Sequence, residues 1–279
     1  MSRRLASALA AATRGILSPL PKWTRISVLA RLSAFLVPRV PVTIGGRTVN
    51  LYTPSKASVY WARYGMEAEP DTLRWIQSLD AGSVFWDIGA SVGLYSLAAG
   101  FHGLQVMAFE ANPFTYECLL RNVLENRGAE RIKPYSLALA ERSTLGELYL
   151  ASTEAGTVGN AFGDPQASAI REWAGDMAVS AVSASIDDLI ALFAAPFPNQ
   201  IKIDVDSIEE QIVSGGRRTL SDPRVRSVLI EIVSDTPAHR ERAERIIVMM
   251  RDFGFVIDPS VGSASGNRLF VRPEAFRKG

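Results

Sequence analysis

Short apolar runs and longer amphipathic stretches alternate along most of this chain. The runs predict buried strands at residues 84–87, 106–110, 132–139, 201–205, 227–232, 255–258 and 268–271. Apolar residues three and four positions apart predict helices at residues 57–79, 92–99, 113–126, 208–215 and 238–253. Repeated strand–helix units are typical of an α/β fold with a mostly parallel sheet covered on both faces. The Gly- and Ser-rich turn at 260–267 indicates that the last two strands form an antiparallel pair.

Two other segments depart from this rhythm. Residues 42–52 hold a Gly-Gly pair between two alternating runs, which predicts a small hairpin. Residues 152–180 are rich in glycine and show little periodicity. A loop of that length inside a compact domain is usually functional, so we interpret it as a lid or a substrate-side insertion.

The charges divide the chain into two parts. Residues 1–66 contain ten Lys and Arg but no Asp or Glu, whereas the rest contains twenty basic and twenty-nine acidic residues. We therefore expect a basic N-terminal extension over 1–66, with amphipathic helices and the hairpin, and a catalytic domain over 67–279. Within residues 1–40, basic and apolar side chains interleave. This pattern fits peripheral contact with an anionic membrane, a targeting segment, or a helix packed on the body.

Composition narrows the class of protein further. With 279 residues and 47% hydrophobic content, the chain can bury one sizeable core. Its apolar runs are shorter than the roughly 18 residues of a membrane-spanning helix. The single cysteine, Cys118, excludes an internal disulfide and suits a reducing cytoplasm. We expect a cytoplasmic location, with membrane association through the extension as an open alternative.

The stretch from Ser83 to Gly93 carries the first candidate chemistry. Its strand ends at Asp87, and Gly89 and Gly93 follow in a loop where the backbone can approach a ligand closely. In nucleotide-binding folds, a loop of this kind before a helix holds a pyrophosphate. A carboxylate at Asp87 would repel that anion and attract the ammonium group of a methionine moiety. The spacing Asp-x-Gly-x-x-x-Gly therefore predicts S-adenosylmethionine as the cofactor, in preference to a nicotinamide dinucleotide.

Acidic residues also lie at the carboxyl ends of other predicted strands, which should meet at the same edge of the sheet as Asp87. Glu110 lies 21 positions after Gly89, where an acid accepts hydrogen bonds from ribose hydroxyls. Asp204 lies at the mouth of the strand 201–205, and Asp206 follows it. Both are placed to touch a substrate hydroxyl or a cation. No third metal ligand is evident nearby, so we assign no metal site.

Taken in order, these motifs resemble the FkbM-type methyltransferases from about Glu69 to about Ile232. The resemblance is carried by residues 85–96, 108–113, 185–189 and 201–206, with Tyr116, Leu119, Asn122, Glu210 and Gly215. The expected fold is therefore a Rossmann-like class I methyltransferase fold. It has a mostly parallel seven-stranded sheet, an antiparallel C-terminal hairpin and the N-terminal extension.

The resemblance also implies an activity and a set of contacts. Members of the family methylate hydroxyl groups, often on sugars or natural products. The implied cofactor contacts are Asp87, Gly89, Glu110 and Asn112, with Asp204 near the transferred methyl group. We therefore expect a small-molecule or glycan acceptor and no nucleic-acid partner. The oligomeric state is open.

Two positions differ from the family pattern. The family has Asn where Ser91 stands, and Glu-Gly where Asp206 and Ser207 stand. A serine can still hydrogen-bond the cofactor, so Ser91 stays in the predicted cofactor loop with Gly93. The second difference shortens an acid and removes a glycine beside the expected acceptor site.

Methyl transfer to a hydroxyl requires alignment, exclusion of water and a base within hydrogen-bond reach. The candidate bases are Asp204, Asp206, Glu231 and His239, and Asp204 is the first choice. Of these four, we predict Asp204, Asp206 and Glu231 as the catalytic residues. One alternative is a membrane-associated domain that binds the cofactor without catalysis. A nicotinamide oxidoreductase is the other, but it would need a third glycine and a hydride-handling pair that we do not find.

Overall fold

The computed structural model describes residues 2–128, 130–164, 177–206, 208–261 and 266–273. The helices are α1 (Ser2–Leu17), α2 (Lys22–Leu36), α3 (Lys56–Ala68), α4 (Pro70–Ser78), α5 (Leu94–His102), α6 (Pro113–Glu125), α7 (Ile186–Phe193), α8 (Glu209–Ser214), α9 (Arg217–Ser221) and α10 (Pro237–Asp252). The strands are β1 (Arg39–Ile44), β2 (Arg47–Tyr52), β3 (Val84–Ile88), β4 (Gln105–Phe109), β5 (Ile132–Tyr135), β6 (Ala138–Leu139), β7 (Thr144–Tyr149), β8 (Ala161–Phe162), β9 (Ala178–Ala184), β10 (Gln200–Ile203), β11 (Ser227–Glu231), β12 (Val256–Asp258) and β13 (Asn267–Val271).

The first two helices form a unit of their own, Met1–Pro38. Large apolar side chains on both helices are exposed, among them Ile16 at 77% and Phe35 at 83%, and α2 has no buried residue. A search of the described helices finds none that is both long and apolar enough to cross a membrane. The unit therefore consists of two basic helices with apolar side chains on their surface.

The second unit, Arg39–Gly279, begins with the predicted hairpin. Strands β1 and β2 pair antiparallel, which confirms that prediction. The single helix predicted at 57–79 is instead two helices, α3 and α4, because Pro70 lacks a backbone N–H and suits only the first turn of a helix. The charge pattern placed the hairpin and most of α3 in the basic extension, but their contacts place them in this unit.

The predicted seven-stranded sheet is confirmed. Its strand order is β12-β13-β11-β10-β3-β4-β5. Strands β10, β3, β4 and β5 run parallel to one another, as do β10 and β11, whereas β13 is antiparallel to both β11 and β12. The chain reverses its direction of travel across the sheet between β3 and β10. In such Rossmann-like sheets, ligands bind beyond the carboxyl ends of the strands at this switch point.

The two faces of the sheet bury separate apolar clusters. Trp86 and Ile88 belong to one cluster, and Phe85 belongs to the other, because successive side chains of a strand point to opposite faces. On β10, Ile201 and Ile203 share the face of Trp86. Lys202 therefore lies on the opposite face of the sheet, a placement that bears on the site.

The segment 132–184 differs most from the prediction. One strand was expected over 132–139, but the chain leaves the central sheet after Tyr135 and continues in a second sheet, of order β6-β9-β7-β8. Pro134 fits this arrangement, because β5 is an edge strand and needs no donor on its outer side. Strand β7 buries only one of its six residues and β9 only two of its seven, so no apolar pattern marks them. The predicted insertion 152–180 contains β8 and the start of β9, and its residues 165–176 lie outside the described residues.

Candidate functional site

A cavity of about 430 Å³ lies beyond the carboxyl ends of β3, β4, β10 and β11. Such a volume is within the range typical of small-molecule sites. Its lining includes the backbone of residues 89–92, the apolar side chains of Leu137, Leu139, Leu148 and Phe162, and the charged groups Glu69, Glu110, Lys202, Asp204, Asp206 and Glu231. The predicted insertion also contributes, through Thr157, Val158 and Asn160.

The loop after β3 can be formed only by particular residues. Gly89 has φ +82°, and a Cβ there would lie 1.7 Å from the carbonyl oxygen of Asp204. The N–H groups of Gly89 and Ala90 both donate to the carbonyl of Phe109, at 3.0 and 2.9 Å. Gly93, with φ +90°, caps the N-terminus of α5. The loop is thus held against the ends of both β4 and β10.

Asp87 lies behind this loop, 1% exposed, and neither it nor Gly93 is among the residues that line the cavity. Its Oδ2 accepts a hydrogen bond from the hydroxyl of Ser96 at 2.5 Å, whereas Oδ1 is buried without a hydrogen-bond partner. Burial raises the pKa of Asp87, and the nearby Lys202 opposes that rise. A direct contact between Asp87 and a cofactor stays a prediction.

Glu110 links the loop to the start of α6. Its carboxylate accepts the backbone N–H of Ser91 at 2.9 Å and that of Asn112 at 2.8 Å. Burial raises the pKa of Glu110 to about 7, although these two hydrogen bonds lower it. Asn112 is buried and caps α6 by accepting the N–H of Phe114 at 3.0 Å. Glu110, Ser91 and Asn112 all line the cavity, and their contact with a cofactor stays a prediction.

Three charged side chains meet at the ends of β10 and β11. The ammonium group of Lys202 forms an ion pair with Oδ2 of Asp204. Glu231 forms a hydrogen bond with the side chain of Asp204, and burial together with the charges of Asp204 and Asp206 raises the pKa of Glu231 to about 9. Near neutral pH, Glu231 is therefore protonated beside an Asp204 carboxylate that is paired with a lysine.

Asp206 follows Asp204 in the loop after β10. It has φ +70°, and its Oδ2 accepts the backbone N–H of Gly159 at 2.8 Å. Burial raises the pKa of Asp206 to about 6. Asp206 thereby connects the end of β10 with the predicted insertion, while Ser207, the second position of this family difference, lies outside the described residues.

The remaining candidates lie elsewhere. His239 contacts Asp235 at the start of α10 and does not line the cavity, so the structure does not bring it to the other candidate bases. Cys118 is buried, and its thiol donates to the carbonyl of Tyr52 at 3.1 Å. No cluster of three or more His, Cys, Asp or Glu side chains within the described ranges is arranged to hold a metal ion.

Among the cavity residues that sequence reasoning missed are Glu69, Tyr95 and Lys202. Lys202 could have been found, because a lysine between isoleucines of a buried strand is unusual. Glu69 and Tyr95 carry no such signal. Glu69 is the residue before Pro70 and accepts from Thr72 at 2.8 Å, which alone would mark it as a helix-start acid.

The charges of the cavity can be compared with those of S-adenosylmethionine, which carries a sulfonium and an ammonium group. Five carboxyl groups and one ammonium group line the cavity in the part of the chain that the structure describes. Such a negative surface attracts a cation and repels a pyrophosphate. The backbone loop after β3 lies at the switch point, and Glu110 lies at the end of the neighbouring β4, where such folds bind ribose hydroxyls. The residues present therefore fit the predicted cofactor.

Comparison with known proteins agrees with this chemistry. A family model described as Methyltransferase FkbM domain matches residues 87–257. The hexuronic acid methyltransferase AglP of Haloferax volcanii is 25% identical over 215 residues, which cover 74% of this chain and 83% of that protein. A tRNA (guanine(37)-N(1))-methyltransferase of Ajellomyces capsulatus is 32% identical over 87 residues, which cover 31% of this chain and 17% of that protein.

A solved structure is also similar. It is the magnesium protoporphyrin IX methyltransferase from Synechocystis with bound S-adenosylmethionine, with a TM-score of 0.41 and 11% identity, covering 78% of this chain and 84% of that chain. The family model is the decisive finding, because it spans more than half of the 279 residues. This chain belongs to the FkbM methyltransferase family and is an S-adenosylmethionine-dependent methyltransferase.

Proposed function

We propose that this enzyme methylates a hydroxyl oxygen of a sugar, a glycan or a related natural product, with Asp204 as the base. The observation that carries the proposal is the arrangement of Lys202, Asp204 and Glu231 at the ends of β10 and β11. A hydroxyl is a poor nucleophile at neutral pH, so a carboxylate within hydrogen-bond reach accelerates its reaction.

The three predicted carboxyl groups differ in their ability to accept a proton. Glu231 already holds one near neutral pH, since its pKa is raised to about 9. One oxygen of Asp206 is occupied by the N–H of Gly159. Asp204 is paired with Lys202, and its side chain is 24% exposed at the cavity. These differences favour Asp204 as the base, with Glu231 as a hydrogen-bond donor to it.

When bound, S-adenosylmethionine supplies a methyl carbon on a cationic sulfur, and the bonding electrons return to that sulfur as the methyl group leaves. The acceptor oxygen forms its bond to this carbon and passes its proton to Asp204. The loop 89–92 and Glu110 are proposed to hold the nucleoside, where Ser91 and Asn112 fix the carboxylate of Glu110. The apolar side chains of Leu139, Leu148 and Phe162 keep water out.

The choice of acceptor rests on two observations. AglP, which is similar over most of this chain, is described as a hexuronic acid methyltransferase. The ionised carboxylates of the cavity would repel the phosphates of a nucleic acid. A carbohydrate hydroxyl is therefore favoured over the tRNA base named for the shorter match.

The variant Asp204→Asn tests the proposal. The amide keeps the shape of the side chain but cannot accept the proton, so turnover of a methyl-accepting glycoside should fall by about 100-fold or more. Affinity for S-adenosylhomocysteine, measured by calorimetry, should stay within about threefold. Glu210→Gln is the control, because Glu210 is paired with Arg245 outside the cavity and its variant should retain activity. Full turnover by Asp204→Asn would refute the role of this residue.

A further inference from the structure

A charged side chain lies in the middle of the buried strand β10. Lys202 is 1% exposed, and the strand register places it beside Asp87 of β3 and Leu229 of β11. Burying an ammonium group costs several kcal/mol unless other groups compensate for the lost water. An aliphatic side chain would fill this position without that cost. The lysine is therefore expected to have a role that its charge performs.

Four other groups surround the Lys202 ammonium. It pairs with Asp204 and lies 4.9 Å from the centroid of the Tyr95 ring. The Tyr95 hydroxyl donates to the carbonyl of Gly65 at 3.0 Å, which fixes the ring beneath the amine. Asp87 and Glu69 are the other acids that act on it. Burial alone would lower the pKa of Lys202, but these carboxylates raise it above its ordinary value, so the amine is charged.

We propose that Lys202 is a positioning residue for methyl transfer, which binds the Asp204 side chain directly and so directs the shared proton of the carboxyl pair to Glu231. The inference rests on the proposed function, in which Asp204 accepts the proton of the acceptor hydroxyl. Nothing in the family comparison assigns a role to this lysine.

The physical reason lies in the pairing of two acids. Two carboxyl groups in hydrogen-bond contact cannot both ionise easily, so they share one proton, and nearby charges decide which of them carries it. Lys202 binds Asp204 directly, and this stabilises the negative charge on that side of the pair. Burial and the charges of Asp204 and Asp206 raise the pKa of Glu231 to about 9, and Lys202 opposes this rise only in part, so the proton resides on Glu231. Asp204 can take up the hydroxyl proton and release it to water after each turnover.

The variant Lys202→Met removes the charge and keeps most of the volume. An opposite charge at this distance commonly shifts the pKa of a carboxyl group by one to three units. The acidic limb of the profile of kcat against pH, which reports ionisation of the base, should therefore move upward by about one unit or more. Lys202→Arg should restore part of the wild-type profile. A uniform loss of kcat with an unmoved profile would show a merely structural role and overturn the proposal.

If Lys202→Met does not fold, a double variant still tests the proposal. Lys202→Met combined with Asp204→Asn removes the acid that pairs with the lysine, so its melting temperature should exceed that of Lys202→Met alone. If the lysine acts through Asp204, the double variant should lose no more turnover than Asp204→Asn alone. Fully additive losses in turnover would contradict the proposal.

Infrared spectroscopy of the free protein gives a readout that needs no acceptor. At pH 8, the band of a protonated carboxyl group should shift on ¹³C labelling of glutamate and lose most of its intensity in Glu231→Gln, because Glu110 and Glu209, with pKa values of about 7, are mostly ionised at this pH. In Lys202→Met, a second component should appear that shifts on labelling of aspartate and is absent from the double variant. If this component does not appear, Lys202 does not determine which of Asp204 and Glu231 carries the proton. That conclusion holds whatever compound the enzyme methylates. If wild-type protein methylates no hydroxyl compound, the proposed function fails while the infrared result still tests Lys202.

Discussion

The affinity for S-adenosylhomocysteine should depend on pH through Glu110. Its carboxyl group lines the cavity, and burial raises its pKa from an ordinary 4.5 to about 7. Backbone N–H groups of Ser91 and Asn112 occupy one lone pair on each oxygen, which leaves further lone pairs for ribose hydroxyls. Only the ionised carboxylate accepts hydrogen bonds fully on both of its oxygens. Since the pKa is raised, the ionised form is scarce below pH 7 and dominant above it.

The size of the effect follows from this pKa. With a value of about 7, roughly one tenth of the protein carries an ionised Glu110 at pH 6 and roughly nine tenths at pH 8. If binding requires the ionised form, the dissociation constant should fall by about tenfold between these values, or about 1.4 kcal/mol. The variant Glu110→Gln cannot ionise, so its affinity should be weaker at pH 8 and nearly flat across the range.

Isothermal titration calorimetry at pH 6, 7 and 8 measures the dependence. Asp206→Asn is the matched control, because Asp206 lines the same cavity and has a pKa raised to about 6. This variant should keep the rise in affinity from pH 6 to pH 8 if Glu110 is its source. Equal affinities of the wild-type protein at pH 6 and pH 8 would refute the reasoning. So would a tenfold dependence that persists in Glu110→Gln.

Three further predictions concern the cofactor loop and the N-terminal unit. Gly89→Ala should lower the melting temperature and weaken S-adenosylhomocysteine binding by more than about tenfold, because its Cβ would lie 1.7 Å from the Asp204 carbonyl oxygen. The control is Gly45→Ala, which also has a positive φ but lies in open space. This control should change only the free energy of unfolding, by about 1 kcal/mol. Ser91 has φ +49°, a conformation that asparagine tolerates better, so Ser91→Asn should raise the melting temperature, and a decrease would contradict this. Membrane contact by residues 1–38, one of the alternatives that their sequence leaves open, predicts that the protein co-sediments with vesicles that contain phosphatidylglycerol more than with phosphatidylcholine alone and that deletion of these residues abolishes the difference; unchanged partitioning would exclude it.

The parts of the site that sequence reasoning located share one property. Asp87 and Glu110 each follow a short run of apolar residues, and Asp204 follows a run interrupted only by Lys202; such runs predict buried strands. Parallel strands end at one edge of a sheet, so the acids were expected to converge without knowledge of the strand order. The structure places Glu110 and Asp204 at the cavity and Asp87 just behind it.

The parts that were missed depend on contacts between distant segments. Glu69 reaches the cavity because α4 packs beside α5, and nothing in its own neighbourhood indicates this. The protonation of Glu231 depends on Asp204 and Asp206, which lie on a different strand and its loop. Strands β7 and β9 bury few of their residues, so their pairing is not visible as a pattern of apolar residues. Burial leaves a periodic signal along a chain, whereas pairing between polar segments does not.

Transfer of an isotopically labelled methyl group tests the central claim most directly. Purified protein is incubated with S-adenosylmethionine that carries a trideuteromethyl group and with a panel of neutral and acidic glycosides, and the products are fragmented in a mass spectrometer. The account predicts one labelled methyl group on an oxygen atom of a glycoside, and loss of that product in Asp204→Asn. A label found on nitrogen or carbon, or a labelled product formed equally well by Asp204→Asn, would contradict it.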